Sequence, residues 1–546
     1  MSSQTWTTLE GAVTELMRGA LDQYLATLPQ APESIPPLEL EIPRNPDHGD
    51  WACSVAMKLA RTLRSNPMAI AEALAACVPA NDLIAPPEIA RPGFINLRLQ
   101  PAAAGRIVRQ VLEAGEKYGH VDAFAGRKVM VEFVSANPTG PLHIGHCRGA
   151  VIGDALARIL AAAGYEVSRE YYYNDAGVQM QTLGESLRAR YLQALGRDVP
   201  FPENGYQGEY MVELGQRLKD ERGDTLADEP AWRPFTDYAA GHIMEWIRDD
   251  LRALRIEFDT YFSETTLHEN GKVREVLDSL KAQGRIYEKD GAWWLRTVDF
   301  GDEKDRVVIK SDGNYTYLAP DIAYHAHKFE RGFDRLINVL GADHHGYVPR
   351  LKAGVGALGY RPEQLDCVIV QMVSVENQGV AMKLSTRRGD FITLKEVIDE
   401  IGADVTRFLF LMRAADSQMV FDFNVARDRS MDNPLYYVQY AHARCRSLMR
   451  KAEEIGMPWT GEVAPDLSLL TAPEELAIAR QIDRMASVVL DCAKSADPMP
   501  MTAYLRDLAT SFHAYFTAGN KDASLRVVQP EAPALTQARL SLIAAL

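Results

Sequence analysis

His143 and His146 stand three residues apart in Pro141-Leu-His-Ile-Gly-His146. On the first turn of a helix, side chains at that spacing face the same way. Two imidazoles so placed can donate hydrogen bonds to the oxygens of a phosphate undergoing substitution, where negative charge must be stabilised. A helix start adds free N–H groups and a positive dipole end, both favourable to an anion. Gly145 would let a ligand close on the backbone. The plainer reading has one histidine capping the helix and the other solvated. The proline-glycine loop just before them tips the balance toward the phosphate.

That pair needs a frame. Val129-Met-Val-Glu-Phe-Val134 is apolar and β-prone, interrupted only by Glu132, as a buried parallel strand is. Asn137-Pro138 and Gly140-Pro141 then break the chain. From Cys147, the residues Val151, Ile152, Ala155, Leu156, Ile159, Leu160 and Ala163 recur at helical spacing, and Gly164 supplies the stop. Glu166 to Tyr173 is a second β-rich run. Strand, loop, helix and strand in this order form a doubly wound α/β unit, with its crevice at the carboxyl ends of the strands. A second such junction follows Arg335-Leu-Ile-Asn-Val-Leu340, which runs into Gly341-Ala-Asp-His-His-Gly346 and a helix.

The chain has 546 residues, 47% hydrophobic and 24% charged, which predicts a globular protein of about three or four domains. No secretory signal and no apolar run approaching about 18 residues is evident, so a cytoplasmic protein without a membrane partner is expected. The six cysteines are scattered with no C-x-x-C pair, arguing against bound zinc and against a disulfide framework. A net charge of −15 speaks against nucleic acid, but one basic face can sit on an acidic body. Between Val405 and Lys451 eight basic residues meet four acids, interleaved with Tyr436, Tyr437 and Tyr440. Cations and stacking platforms together suit unpaired bases.

Ala136-Asn-Pro-Thr-Gly-Pro-Leu-His-Ile-Gly-His146 resembles the HIGH signature of class I aminoacyl-tRNA synthetases, and Glu132 to Arg148 resembles arginyl-tRNA synthetases in particular. The resemblance extends over essentially the whole chain. It implies a multidomain α/β protein. Residues 1–120 would form an N-terminal α+β domain that contacts the tRNA elbow. Residues 121–400 would form a Rossmann-type parallel-sheet catalytic domain with a helical insertion at about 178–290. Residues 401–546 would form an all-α anticodon-binding bundle, marked by Asp404-Val-Thr-Arg407 where the family has its D-A-L-R motif.

The implied reaction joins arginine to tRNA(Arg) through an arginyl-adenylate, with ATP and Mg²⁺, in a monomer that needs tRNA for the first step. The resemblance assigns catalysis to His143, His146, Lys383 and Arg387. It places ATP on Pro141, Leu142, Ile144, Gly145, Gly341, Asp343, His344 and Ser385. Arginine would be held by Glu132, Ser135, Asn137, Tyr317, Asp321 and His345, and tRNA by Arg444, Arg446, Tyr436 and Tyr440. Lys383-Leu-Ser-Thr-Arg387 stands where the family has KMSKS, so Thr386 replaces the second lysine; Gly140 also lacks the lysine that some members carry there. The resemblance leaves two rivals, another class I synthetase and a non-enzymatic tRNA-binding relative.

Elsewhere the pattern predicts helices from about Thr8 to Leu28, over Trp51–Arg64, from Pro67, and over Ala102–Ala114. Strands are expected at Leu38–Ile42 and Gly93–Leu99. Hairpins should turn at Asp290-Gly291 and at Asp312-Gly-Asn314. The chain from Leu394 onward should be helical throughout.

Overall fold

The computed structural model describes residues 8–30, 32, 34–377, 380–382, 392–463 and 466–546. The expected second-signature residues Lys383, Ser385 and Arg387 lie outside these, as do Thr386 and Arg388. Two compact units result. One combines residues 1–121, 436–490 and 503–546; the other holds 122–435 and 491–502.

The second unit is built on a five-stranded sheet. Its order is Leu365–Val370, Arg335–Gly341, Lys128–Glu132, Glu166–Tyr173 and Thr260–Ser263, and every pair is parallel. Numbered along the chain this is 5-4-1-2-3, the doubly wound order whose switch point lies between Lys128–Glu132 and Arg335–Gly341. Val129, Met130 and Val131 are fully buried, as a central strand requires. The helix Ile144–Ala162 covers one face. It comes so close that a Cβ at Gly153 would lie 2.2 Å from the Phe133 ring.

The first unit shares one apolar core between its early and late segments. Leu9, Val13, Leu59, Leu74 and Ile107 cluster with Ile478, Phe512 and Leu540. Its four-stranded antiparallel sheet runs Leu40–Glu41, Trp51–Cys53, Phe94–Leu97 and Glu88–Ala90. The helix Leu9–Ala26 begins where its first N–H meets Asp483 Oδ2 at 2.8 Å, and burial pushes that carboxyl up to about 7.

Several local expectations are corrected. Trp51–Cys53 is a strand because it pairs with Phe94–Leu97, and the helix starts only at Val55. The hairpin at Asp312 turns where expected, with Lys310 N–H donating to the Asn314 carbonyl at 2.8 Å and Thr316 N–H to that of Val308 at 3.0 Å, but its second arm is short because Leu318–Glu330 folds as a buried helix. The insertion expected to be helical at about 178–290 includes Thr260–Ser263, the outer strand of the parallel sheet. The chain beyond Leu394 is not helical throughout either: Met419–Asp422 pairs in parallel with Val373–Asn377. In each case pairing with a distant strand, or burial, overrides local preference. Among the described residues no helix is long and apolar enough to cross a membrane.

Candidate active site

His143 is the N-cap of Ile144–Ala162, and its Nδ1 accepts from Gly145 N–H at 3.1 Å. His146 Nδ1 accepts in turn from His143 N–H at 3.3 Å. An accepting Nδ1 puts the proton of a neutral imidazole on Nε2. The two rings lie 3.8 Å apart, centroid to centroid, tilted by 32°. Burial lowers the pKa of His143, and burial with the neighbouring His143 pushes His146 down to about 3. Both rings are therefore neutral Nε2–H donors at neutral pH. Capping and phosphate binding are not alternatives here, because the cap selects the tautomer that can donate. Gly145 has a further reason to be glycine, since a Cβ would lie 2.9 Å from the His143 ring.

A cleft of about 610 Å³ opens at the switch point of the sheet. Of the expected arginine residues it is lined by Glu132, Ser135, Asn137, Tyr317 and Asp321, and of the expected ATP residues by Gly341, Asp343 and His344. His345 is exposed and does not line it. Leu142 and Ile144 are wholly buried under the signature, and Pro141 faces a different cavity. Tyr317, 82% exposed, stands at the mouth of the cleft.

The chain enters the cleft through a strained turn. Val134 and Ser135 have φ of 66° and 44°, a left-handed conformation that is costly for a β-branched residue. The turn brings Ser135 Oγ to donate to Glu132 Oε1 at 3.2 Å and to accept from Tyr172 N–H at 3.3 Å. Asn137 Oδ1 accepts from Asn174 N–H at 3.0 Å, and its Nδ2 donates to Gln179 Oε1 at 2.9 Å.

Beneath lies a polar network that sequence reasoning missed. Glu132 Oε2 takes a 2.5 Å bond from Lys328 Nζ, whose side chain is completely buried. Lys328 also donates to Asn338 Oδ1 at 3.2 Å. Asn338 Nδ2 donates to His325 Nε2 at 2.9 Å, and His325 Nδ1–H donates to the Asp321 carbonyl at 2.7 Å. This alternation leaves one tautomer for His325. Burial, with Lys328 adding, pushes its pKa down to about 3. The Tyr347 hydroxyl donates to Asp321, and that of Tyr172 to Glu264. Burial, with the charges of Glu132 and Glu264 adding and Tyr347 opposing, raises the Asp321 carboxyl to about 7. A signal existed in the sequence: Asp321, Tyr324, His325 and Lys328 fall at i, i+3, i+4 and i+7 of an otherwise apolar helix.

Arg148, two residues after His146, was also missed. It is fully buried and donates to the carbonyls of Gln371 at 3.0 Å, Ser417 at 2.8 Å and Ala414 at 2.7 Å. Burial lowers its pKa. It ties the signature helix to the start of Val373–Asn377, the strand leading to the second signature. Residues 392–394, which follow it in the chain, are bonded to the first signature. Ile144 N–H donates to the Ile392 carbonyl at 3.1 Å, and Leu394 N–H to that of Leu142 at 2.8 Å.

In the first unit, the helix Pro434–Glu454 carries the expected tRNA residues. Arg446 is exposed and lines a cavity of about 760 Å³ with Arg450, His442 and Trp459. Arg444 is half-buried, stacked 5.0 Å over Phe516 and bonded to His513 Nδ1 at 2.8 Å. Tyr436 is half-buried and Tyr440 41% exposed.

Comparison with known proteins covers nearly the whole chain. Residues 13–99 match the family described as the arginyl tRNA synthetase N terminal domain. Residues 107–204 and 210–417 match the class I (R) tRNA synthetase catalytic domain, and 438–546 the DALR anticodon binding domain. An arginine–tRNA ligase of Geobacillus thermodenitrificans is 46% identical over 520 residues, covering 94% of this chain and 92% of the relative. One from Syntrophotalea carbinolica is 46% identical over 541 residues, 96% of each. The solved Thermus thermophilus arginyl-tRNA synthetase shares the fold, with a TM-score of 0.71 at 24% identity over 98% of this chain and 96% of that one.

Proposed function

The chain belongs to the arginyl-tRNA synthetase family, and we propose that it attaches L-arginine to tRNA(Arg) in two ATP-dependent steps at one site. In the first, an arginine carboxylate oxygen attacks the α-phosphorus of ATP, supplied as its Mg²⁺ complex. The bond from that phosphorus to the bridging oxygen breaks, pyrophosphate leaves with the electron pair, and arginyl-adenylate remains. In the second, a hydroxyl of the terminal ribose of tRNA attacks the arginyl carbonyl and AMP departs. No enzyme nucleophile is required, so the work is positioning and charge stabilisation.

The observation that carries this reading is the set of carboxylates, Glu132, Glu264 and Asp321, around one cleft at the switch point. A guanidinium presents five donors in a flat fork and is best met by such groups. Asp321 and Tyr317 take the guanidinium, while Glu132 and Asn137, with Ser135 beside them, hold the α-amino and carboxylate end. Gly341, Asp343 and His344 face the nucleoside of ATP. The Nε2–H groups of His143 and His146 stabilise charge on the α-phosphate. Lys383 and Arg387 share the leaving group, with Ser385 donating a hydrogen bond. Arg444, Arg446, Tyr436 and Tyr440 receive the anticodon arm. The protein acts as a cytoplasmic monomer.

Aminoacylation of total tRNA with each amino acid in turn tests the reading. Arginine alone should be consumed. Charging with another amino acid, or tRNA binding without charging, would select one of the rivals. Single-turnover adenylate formation with tRNA present tests the second signature. Lys383→Met and Arg387→Met should slow the chemical step at saturating ATP; wild-type rates in both would move the leaving-group role elsewhere.

A further inference from the structure

The turn after Glu132 breaks a ladder that the register would continue. Lys128–Glu132 pairs in parallel with Glu166–Tyr173, with Glu132 opposite Glu170, and Phe133 N–H still reaches the Glu170 carbonyl at 3.3 Å. In a parallel ladder the next bond would run from Tyr172 N–H to the Phe133 carbonyl. That carbonyl instead accepts from Ser135 N–H at 2.9 Å, closing a three-residue turn around Val134. With Val134 at a φ of 66°, this is the rare and strained form of the γ-turn. Tyr172 N–H is left to the Ser135 hydroxyl, at 3.3 Å.

Ending a strand does not require this strain. Glycine adopts positive φ at no steric cost, whereas a β-branched residue resists it. Val134 is only half-buried and lines the cleft, so core packing does not account for a valine there. A strained backbone persists where its surroundings over-determine it. Besides the bond from Tyr172, the Tyr171 hydroxyl donates to the Ala136 carbonyl at 2.8 Å, and Asn174 N–H to Asn137 Oδ1 at 3.0 Å. The result is felt at Glu132. A continued strand would send the Ser135 side chain to the face opposite that of Glu132. The turn instead sets its hydroxyl 3.2 Å from Glu132 Oε1, while Lys328 holds Oε2. Both oxygens of one carboxylate are thereby fixed.

We propose, on the reading that this cleft takes arginine, that Val134 is a positioning residue for that substrate. Its stiff side chain locks the γ-turn, and the turn holds Glu132 ready for the α-amino group. Glycine at 134 would relieve the strain but let the chain sample other turns. Stability and arginine binding should therefore part company, which they do not at an ordinary packing position.

The test is ATP–pyrophosphate exchange by the full chain with tRNA present, alongside denaturant unfolding. Val134→Gly should raise the KM for arginine about tenfold, as lost preorganisation does, with kcat and the KM for ATP little changed. Its unfolding midpoint should be no lower than that of the wild type. Val134→Asn tolerates positive φ while restricting the backbone more than glycine, and should keep a KM for arginine near the wild-type value. A wild-type KM for arginine in Val134→Gly overturns the proposal. So does a lower midpoint in that variant, or an equal rise in KM in Val134→Asn. Asp321→Asn separates the two levels of inference. If it weakens arginine and Val134→Gly does not, the turn alone is discarded; if neither does, the arginine cleft falls with it.

Discussion

Beneath the candidate arginine cleft, Lys328 is wholly buried and bonded to both Glu132 and Asn338, whereas Arg446 on the helix Pro434–Glu454 stands exposed beside a cavity. Both are cations in a protein of net charge −15. The first has one geometry and fixes its neighbours through a chain of bonds reaching Asp321. The second acts mainly by its charge near solvent. A buried cation is thus an element of structure whose loss disturbs everything it touches. An exposed one contributes to a diffuse attraction in which each member matters little.

The largest expected effect is at Lys328. Lys328→Met leaves Glu132 buried without its partner, which should cost about 3–5 kcal/mol of stability. Denaturant unfolding checks this. A loss below about 1 kcal/mol would make the pair equivalent to a surface ion pair and dissolve the contrast.

Next comes His146. Removing one preorganised donor costs about 10²–10³ in rate. His146→Ala should lose that much in arginine-dependent ATP–pyrophosphate exchange, measured with tRNA present, with ATP affinity little changed. Full exchange in the variant would leave the histidine as a cap only.

The third effect is a pH profile. Asp321 is raised to about 7, so the carboxylate proposed to meet the guanidinium is lost as pH falls through that value. The kcat/KM for arginine should drop toward about tenfold per pH unit below it. His146 titrates far lower and does not contribute in this window. Asp321→Asn should flatten the profile and weaken arginine far more than ATP. Because the folded pKa lies above the unfolded one, the wild-type carboxyl loses stability as pH rises, so Asp321→Asn should also gain stability above about pH 7. A flat wild-type profile would place the guanidinium elsewhere.

The smallest effects belong to the helix. Arg446→Glu should raise the apparent constant for tRNA in aminoacylation by a few-fold and reduce its salt dependence by about one to two counterions. Arg444→Gln should show more loss of stability than of tRNA affinity, since its guanidinium packs on Phe516 and His513. Equal behaviour of the two variants would erase the distinction drawn from their burial.

Much of this was legible in residue order, and the reason is locality. The Asn-Pro and Gly-Pro breaks, the paired histidines and the following apolar period all lie within one strand–loop–helix unit. Its chemistry depends on neighbours in the chain, so the sequence alone determined the α/β frame, the signature and the family. The helix Ala102–Ala114 was readable for the same reason. Tertiary structure decided whatever rests on residues far apart in the chain. Only pairing with Phe94–Leu97 makes Trp51–Cys53 a strand, and only Val373–Asn377 makes Met419–Asp422 one. Lys328 reads as a surface lysine until Glu132, 196 positions away, is seen against it. Burial then does what no local pattern encodes. It pushes His146 and His325 down to about 3 and lifts Asp321 to about 7, because each depends on how much water the fold has removed and which charges stand nearby.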